Sequence, residues 1–113
     1  MSDDPKLVAL RKGFLEFLVL SIISGASVYA ADILKTLAAT DFARQEGTVY
    51  PLLSRLRREG LLDYQWQESD TGPPRKYYRL TARGAEQLAA FNAYWAHLNR
   101  TIQSLGGDQP CEQ

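Results

Sequence analysis

The 113-residue sequence predicts a mainly α-helical fold with one small β-hairpin and one long C-terminal helix. Two observations support this fold class. Apolar residues recur at helical spacing along most of the chain, whereas apolar and polar residues alternate strictly only from Leu62 to Gln67. A turn-rich segment, Glu68–Arg75, separates that alternating stretch from a second extended run, Lys76–Leu80. The two extended runs are therefore predicted to pair as a hairpin.

Two helices are predicted before the hairpin from their breakers and caps. The first runs from Leu7 to Ile23, because this segment contains no proline and ends at the run Ser24–Ser27. Ser27 is predicted to cap the second helix. The apolar residues of that helix recur at helical spacing and are Ala30, Ile33, Leu34 and Leu37. A polar connection, Thr40–Gln45, follows it.

The ends of the third and fourth helices are also predicted from individual breaking and capping residues. The third should begin near Gly47 or Thr48, because Pro51 lacks an N–H and is tolerated only in a first turn. Gly60 is predicted to end it as the C′ residue. Thr81 is placed to cap a last helix from Ala82 to about Leu105.

This order of elements predicts a winged helix-turn-helix with one added helix. Residues 1–81 form the winged-helix domain, residues 82–105 the C-terminal dimerisation helix, and residues 106–113 a disordered tail.

Composition narrows the classes of function. Thirteen basic and thirteen acidic residues give a formal net charge of zero, so no global charge attracts nucleic acid or membrane. Basic residues are nevertheless clustered: eight basic and five acidic residues lie between Arg44 and Arg83. The single cysteine, Cys111, excludes an internal disulfide and fits a reducing compartment. The polar start and the short apolar run Phe14–Ile23, which contains Glu16, predict a cytoplasmic protein without a membrane partner.

The third helix is predicted to contact DNA through its exposed face. At 100° per residue, Val49, Leu52, Leu53 and Leu56 share one arc and face the core. The opposite face carries hydroxyl, phenol and guanidinium groups, and arginines bind phosphate oxygens and guanine edges. We expect that face and the predicted hairpin (residues 62–80), which is the wing of the winged helix, to contact double-stranded DNA, with Lys35 of the second helix assisting. The predicted DNA-binding residues are Lys35, Thr48, Tyr50, Pro51, Ser54, Arg55, Arg58, Arg75 and Lys76.

The segments "EGTVYPLLSRLRREGLL" (46–62) and "PPRKYYRLTARG" (73–84) closely resemble the PadR family of bacterial transcriptional regulators. The resemblance extends upstream to "LRKGFLEFLVLSIIS" (10–24) and covers nearly the whole chain. It implies a homodimeric winged-helix repressor that binds operator DNA and is often released by a small effector. The short C-terminal helix is similar to that of the compact subfamily.

The last helix is predicted to mediate dimerisation. Leu88, Phe91, Trp95, Leu98, Ile102 and Leu105 follow one another at spacings of 3, 4, 3, 4 and 3, an a/d heptad seam. A helix of about 36 Å is too long to lie wholly on so small a domain, and a second copy is the simplest partner. A two-fold dimer would also place two recognition helices in successive major grooves, about 34 Å apart. The alternative is that the helix folds back onto its own domain.

Trp95 allows two interpretations. It is either an aromatic residue of the dimer core or part of a ligand site. The resemblance implies the second, because in compact family members a matching tryptophan from each subunit sandwiches planar aromatic compounds. Phe14, Phe17 and Leu18 would line that site, and Asn99 would adjoin Trp95. Neither Asn92 nor Asn99 supplies an anionic group there.

No pattern in the sequence predicts catalysis, a metal or a cofactor. His97 is the single histidine, it is predicted to be solvated, and no ligand set accompanies it. Tyr64 and Trp66 are predicted to point inward to the core. Two alternatives to a repressor remain open: a winged-helix module that binds a protein, and a dimer that sequesters ligand without operator specificity. Salt dependence separates the first from a DNA-binding protein.

Overall fold

The structure is a computed structural model that describes residues 4–40 and 46–107. The helices are α1 (Pro5–Ile23), α2 (Ala30–Ala38), α3 (Glu46–Arg58) and α4 (Ala82–Ile102), and the strands are β1 (Val28–Tyr29), β2 (Leu62–Ser69) and β3 (Gly72–Leu80). The predicted fold class, mainly α with a hairpin, is confirmed. Parts of two predicted segments, residues 41–45 of the polar connection and 108–113 of the tail, lie outside the described residues.

The start of α2 differs from the prediction. Ser27 does not cap this helix; Tyr29 occupies the N-cap position and makes no side-chain capping hydrogen bond. The reason is that Val28 and Tyr29 form a short strand, which pairs with Tyr78 and Tyr77 of β3. The first helix also begins two residues earlier than expected, because Asp4 accepts a hydrogen bond from the Lys6 backbone N–H at 2.9 Å.

The position of Pro51 in α3 corrects a second prediction. The described helix begins at Glu46, so Pro51 lies beyond the first turn. Proline removes one internal hydrogen bond there. The helix persists because its other face is anchored by Val49, Leu53 and Leu56, all fully buried.

Gly60 ends α3 as predicted. Its φ of 81° lies in the left-handed region that favours glycine. The Gly60 N–H donates to the Arg57 carbonyl and the Leu61 N–H donates to the Leu56 carbonyl, both at 3.0 Å. These two bonds make a Schellman motif, which turns the chain directly into β2.

The sheet is antiparallel, with strand order β1-β3-β2. The hairpin turn is shorter than predicted, since β2 extends to Ser69 and pairs there with Gly72. The register shifts between Gln67 and Ser69, opposite Pro73 and Pro74. Prolines donate no backbone hydrogen bond, so an irregularity at this point of the ladder is expected.

The core lies between the first three helices and the inner face of the sheet, where Leu62 is 2% exposed. Trp66 shares the inner face of β2 with Leu62 but is 59% exposed. The prediction that Trp66 belongs to the core is therefore wrong, because the hairpin extends past the helices that bury its base. Tyr64, between them, is half-buried and packs against the core.

The junction between α3 and α4 is built around Thr81, which caps α4 as predicted. Its hydroxyl accepts from the Gly84 N–H at 3.0 Å and donates to the Gly60 carbonyl at 2.6 Å. The Thr81 N–H donates to the Leu61 carbonyl at 3.1 Å. Gly84 lies so close to this same carbonyl that a Cβ would collide with it.

The far end of α4 is shorter than predicted. The α-helix ends at Ile102, and residues Gln103–Gly107 form a wider turn in which Gly106 has a φ of 103°.

Candidate nucleic-acid interface and apolar groove

The outer face of α3 is polar and open to solvent. Tyr50, Pro51, Ser54, Arg57 and Arg58 are all exposed. The side chain of Thr48 lies outside what the structure describes. Lys35 is exposed in the last turn of α2. The face can therefore offer hydroxyl and guanidinium donors to a polyanion.

Arg55 differs from the other arginines of α3 because two carboxylates hold its guanidinium. It donates to Glu16 of α1 at 3.1 Å and to Glu59, one turn later on α3, at 3.1 Å. Desolvation acts to lower the pKa of Arg55, but the hydrogen bond to Glu16 and the charges of both carboxylates outweigh it and raise the pKa. The guanidinium is charged and already paired.

The two predicted wing cations lie on opposite faces of the hairpin. On the inner face, the Lys76 ammonium lies 4.3 Å from the ring centre of Tyr64 and 5.2 Å from that of Trp66. On the outer face, the Arg75 guanidinium lies 4.8 Å from the ring centre of Tyr29. Each cation is thus positioned by aromatic rings.

Tyr78 joins the inner wing face to α3. It is buried, and its ring lies 5.7 Å from that of Tyr64. Burial raises the pKa of the Tyr78 phenol, the charges of Tyr64 and Tyr50 raise it further, and the Arg57 guanidinium lowers it. The Arg57 guanidinium also lies 4.6 Å from the Tyr64 ring centre. The polar face of α3 therefore continues into the aromatic face of the wing.

An apolar groove lies between α1 and α4, on another part of the molecule. Its volume is about 320 Å³, and Phe14 meets Trp95 edge-on with ring centres 5.5 Å apart. A smaller adjoining cavity of about 210 Å³ is bounded by Phe14, Phe17, Leu18 and Trp95. The four predicted wall residues are thus brought together.

Asn99 does not line either cavity, whereas several residues outside the predicted set do. The groove is also lined by Ala9, Leu10, Gly13, Phe91, Tyr94 and Leu98. The helical spacing of Leu10, Phe14 and Phe17 could have identified Leu10 as a wall residue.

The apolar seam of α4 becomes more exposed toward its C-terminal end. Leu88 is buried against the core, Trp95 is 45% exposed, Ile102 is 47% exposed and Leu105 is 81% exposed. In the described part of the chain, this half of the seam has no covering element.

Among residues 4–40 and 46–107, the structure shows neither a metal-binding group of side chains nor a membrane-spanning helix. No group of three His, Cys, Asp or Glu side chains there could hold a metal ion, and His97 is exposed beside Tyr94. No described helix has both the length and the hydropathy needed to cross a bilayer. Cys111 lies outside the described residues.

Residues 19–90 match the model of the transcriptional regulator PadR-like family. A PadR-like transcription factor from Bacteroides fragilis is 41% identical, with 91% of this chain and 100% of that chain covered and a TM-score of 0.77. A PadR-like transcriptional regulator from Bacillus cereus is 38% identical over 86% and 95% of the two chains, with a TM-score of 0.76. A PadR family regulator from Eggerthella lenta is 33% identical over 93% and 91%, with a TM-score of 0.76.

Proposed function

Because the chain belongs to the PadR-like family of transcriptional regulators, we propose that it is a homodimeric repressor that binds operator DNA through α3 and the wing and is released by a planar aromatic effector. The observation that carries the proposal is the run of cationic and aromatic side chains from Arg57 of α3 over Tyr64 to Lys76 of the wing. Residues 1–81 serve as the DNA-binding domain and α4 as the dimerisation helix in this proposal.

The DNA interface has a centre and a periphery. Tyr50, Ser54 and Arg58 are exposed on the outer face of α3 and are suited to base edges and adjoining phosphates. Thr48 and Pro51 are the further residues of α3 in the proposed interface. Lys76, Arg75 and Lys35 contact the backbone, which fixes register without reading sequence. Arg55 contributes only when Glu16 or Glu59 releases it.

Homodimerisation is supported by the exposed half of the α4 seam. Ile102 and Leu105 place apolar surface in water, and a two-fold partner would bury the same residues from both copies. Leu88, Phe91, Trp95 and Leu98 continue this seam toward the domain.

The effector site is supported by the apolar groove. Aromatic side chains line a cavity of about 320 Å³, and apolar pockets of this size accept small planar ligands by stacking and burial. The same walls also support the alternative that the protein sequesters ligand without operator specificity.

A mobility-shift titration tests the DNA-binding function, with the duplex upstream of the protein's own gene at two salt concentrations and an unrelated duplex as competitor. We expect a salt-sensitive complex that survives the competitor. Arg58→Ala should weaken it about tenfold, whereas Lys12→Ala on α1 removes an exposed cation outside the interface and should not. The proposal would be contradicted if the protein bound specifically neither to this duplex nor to any member of a random operator library.

The proposed effector site is tested by titrating proflavine, a planar aromatic dye, into the protein in the absence of DNA. The Trp95→Ala variant should lose at least about tenfold in dye affinity, because one aromatic wall is removed. Trp66→Phe, which alters the other tryptophan, should bind the dye normally. Equal affinities of Trp95→Ala and the unmodified protein would place the dye elsewhere.

A further inference from the structure

We propose that Trp66 is a DNA contact of the wing, packing its indole against the deoxyribose–phosphate backbone of the duplex next to the groove that α3 enters. This inference rests on the proposed DNA-binding function and adds to it an aromatic contact that does not read base sequence.

The first argument is the exposure of Trp66. Its side chain points to the same face of β2 as Leu62, yet it lies beyond the edge of the core and is 59% exposed. Its ring makes an edge contact with Tyr64, with centres 6.1 Å apart and an interplanar angle of 86°. The contact fixes the indole and leaves a broad apolar surface open to solvent.

The second argument is charge. Lys76 is the cross-strand partner of Trp66, and its ammonium lies 5.2 Å from the Trp66 ring centre. Arg57 covers Tyr64 from the side of α3. Neither cation forms an ion pair with any of the described residues. An exposed indole beside Lys76, with Arg57 over the neighbouring Tyr64 ring, is complementary to a polyanion.

The third argument is position. Tyr64 connects the cluster to α3, because the Arg57 guanidinium lies 4.6 Å from its ring centre and Trp66 contacts the same ring. Trp66 lies two residue pairs further along the hairpin, since Tyr64 pairs with Tyr78 and Trp66 pairs with Lys76. The indole therefore extends the proposed DNA face from α3 toward the wing tip.

The chemistry of indole fits a duplex backbone. Its flat apolar face can pack on a deoxyribose ring, its N–H can donate to a phosphate oxygen, and the neighbouring Lys76 can neutralise that phosphate. In a duplex the bases are stacked internally, so the sugar edge is the surface that a wing residue meets first.

The proposal is tested on the unmodified sequence by incorporating 5-fluorotryptophan. The two tryptophans give two fluorine resonances, which Trp66→Phe and Trp95→Phe assign. A labelled duplex from upstream of the protein's own gene is then added, and its fluorescence anisotropy records complex formation in the same samples. We expect the Trp66 resonance to shift and broaden in proportion to the complex formed.

Variants supply an independent measurement. Trp66→Ala should weaken duplex binding about tenfold, as expected when the indole loses its packing and its hydrogen bond to the duplex backbone. Trp66→Phe, which keeps a ring, should lose less than about threefold. Gln65→Ala changes an exposed residue on the opposite face of the same strand and serves as the matched control, with affinity unchanged.

The outcomes distinguish failure of this inference from failure of the proposed DNA-binding function. A complex seen by anisotropy without any change at Trp66 overturns the inference and leaves DNA binding intact. The same holds if folded Trp66→Ala binds like Gln65→Ala. Absence of any duplex complex overturns the proposed function itself. If Trp66→Ala does not fold, the fluorine shifts of the unmodified sequence decide.

Discussion

The Arg55 guanidinium on α3 is hydrogen-bonded at 3.1 Å to the Glu16 carboxylate on α1, which joins the helix proposed to enter DNA to a helix that lines the apolar groove. Glu16 stands between Phe14 and Phe17 in the sequence, and both aromatic residues form groove walls. A ligand that displaces α1 would therefore also displace the acceptor of Arg55. The pair is a direct contact between a helix of the groove and the face that is proposed to bind DNA.

Removing the Glu16 charge is expected to strengthen DNA binding. Glu16→Gln leaves Glu59 as the one carboxylate paired with Arg55, so a phosphate competes for the guanidinium against one charge instead of two. Operator affinity should rise about threefold and the salt dependence should steepen by roughly one counterion. The stability cost should be about 1 kcal/mol, because the pair is only partly buried, with the Arg55 side chain 46% exposed and the Glu16 side chain 19% exposed.

Anisotropy titrations at four salt concentrations measure both effects. Glu86→Gln, which removes an exposed carboxylate from α4, is the matched control for a general change in charge. Identical gains in the two variants would show that Arg55 is not released specifically.

A charge in the α4 seam is expected to separate the proposed dimer. Ile102→Glu would bury a carboxylate in an apolar interface, which is strongly unfavourable. Sedimentation equilibrium should give a species of 12.7 kDa for this variant and twice that mass for the unmodified chain. His97→Glu introduces the same charge at an exposed position and should leave the assembly intact. A common mass for all three proteins would refute dimerisation through this seam.

Gly84 is expected to be irreplaceable for a steric reason. A Cβ at this position collides with the Leu61 carbonyl, so Gly84→Ala must displace backbone and should cost about 1–3 kcal/mol in the free energy of unfolding. Gly13 in α1 is the matched control, since its added Cβ meets nothing within 4 Å. Gly13→Ala should stabilise the helix by about 0.5–1 kcal/mol. Urea denaturation measures both, and equal changes would contradict the steric account.

Tyr78 is expected to make stability fall at alkaline pH. Burial raises the pKa of its phenol, so above an unfolded-state value of about 10 the unfolded chain loses this proton first. Its contribution is complete below about pH 10 and decreases as the pH rises toward the folded-state pKa. Tyr78→Phe should therefore show a smaller fall in melting temperature between pH 9 and 11. Tyr94→Phe, which removes an exposed phenol, should behave as the unmodified chain, and parallel curves for both variants would exclude this role.

Local rules predicted the elements that depend on neighbouring residues. Gly60 and Thr81 were identifiable because a C′ glycine and an N-cap threonine act within a few residues of themselves. The strand Val28–Tyr29 was not, because two residues carry no periodicity and pair with residues near the end of the hairpin.

The candidate site was less predictable than the fold. Alternation placed Trp66 on the inner face of β2 but could not show where the core ends along that face. Helical spacing placed Arg55 on the outer side of α3, yet its partner Glu16 lies 39 residues away on another helix. Both facts depend on tertiary packing, which local spacing does not encode.

The contact of Thr81 and Gly84 with the end of α3 makes α4 a lever with its fulcrum at Leu61. With 21 residues, α4 is about 31 Å long. A rotation of about 10° at the fulcrum would displace its far end by roughly 5 Å, comparable to one helical turn. If two copies join along α4 as proposed, an effector that changed this angle would alter the distance between the two α3 helices along DNA.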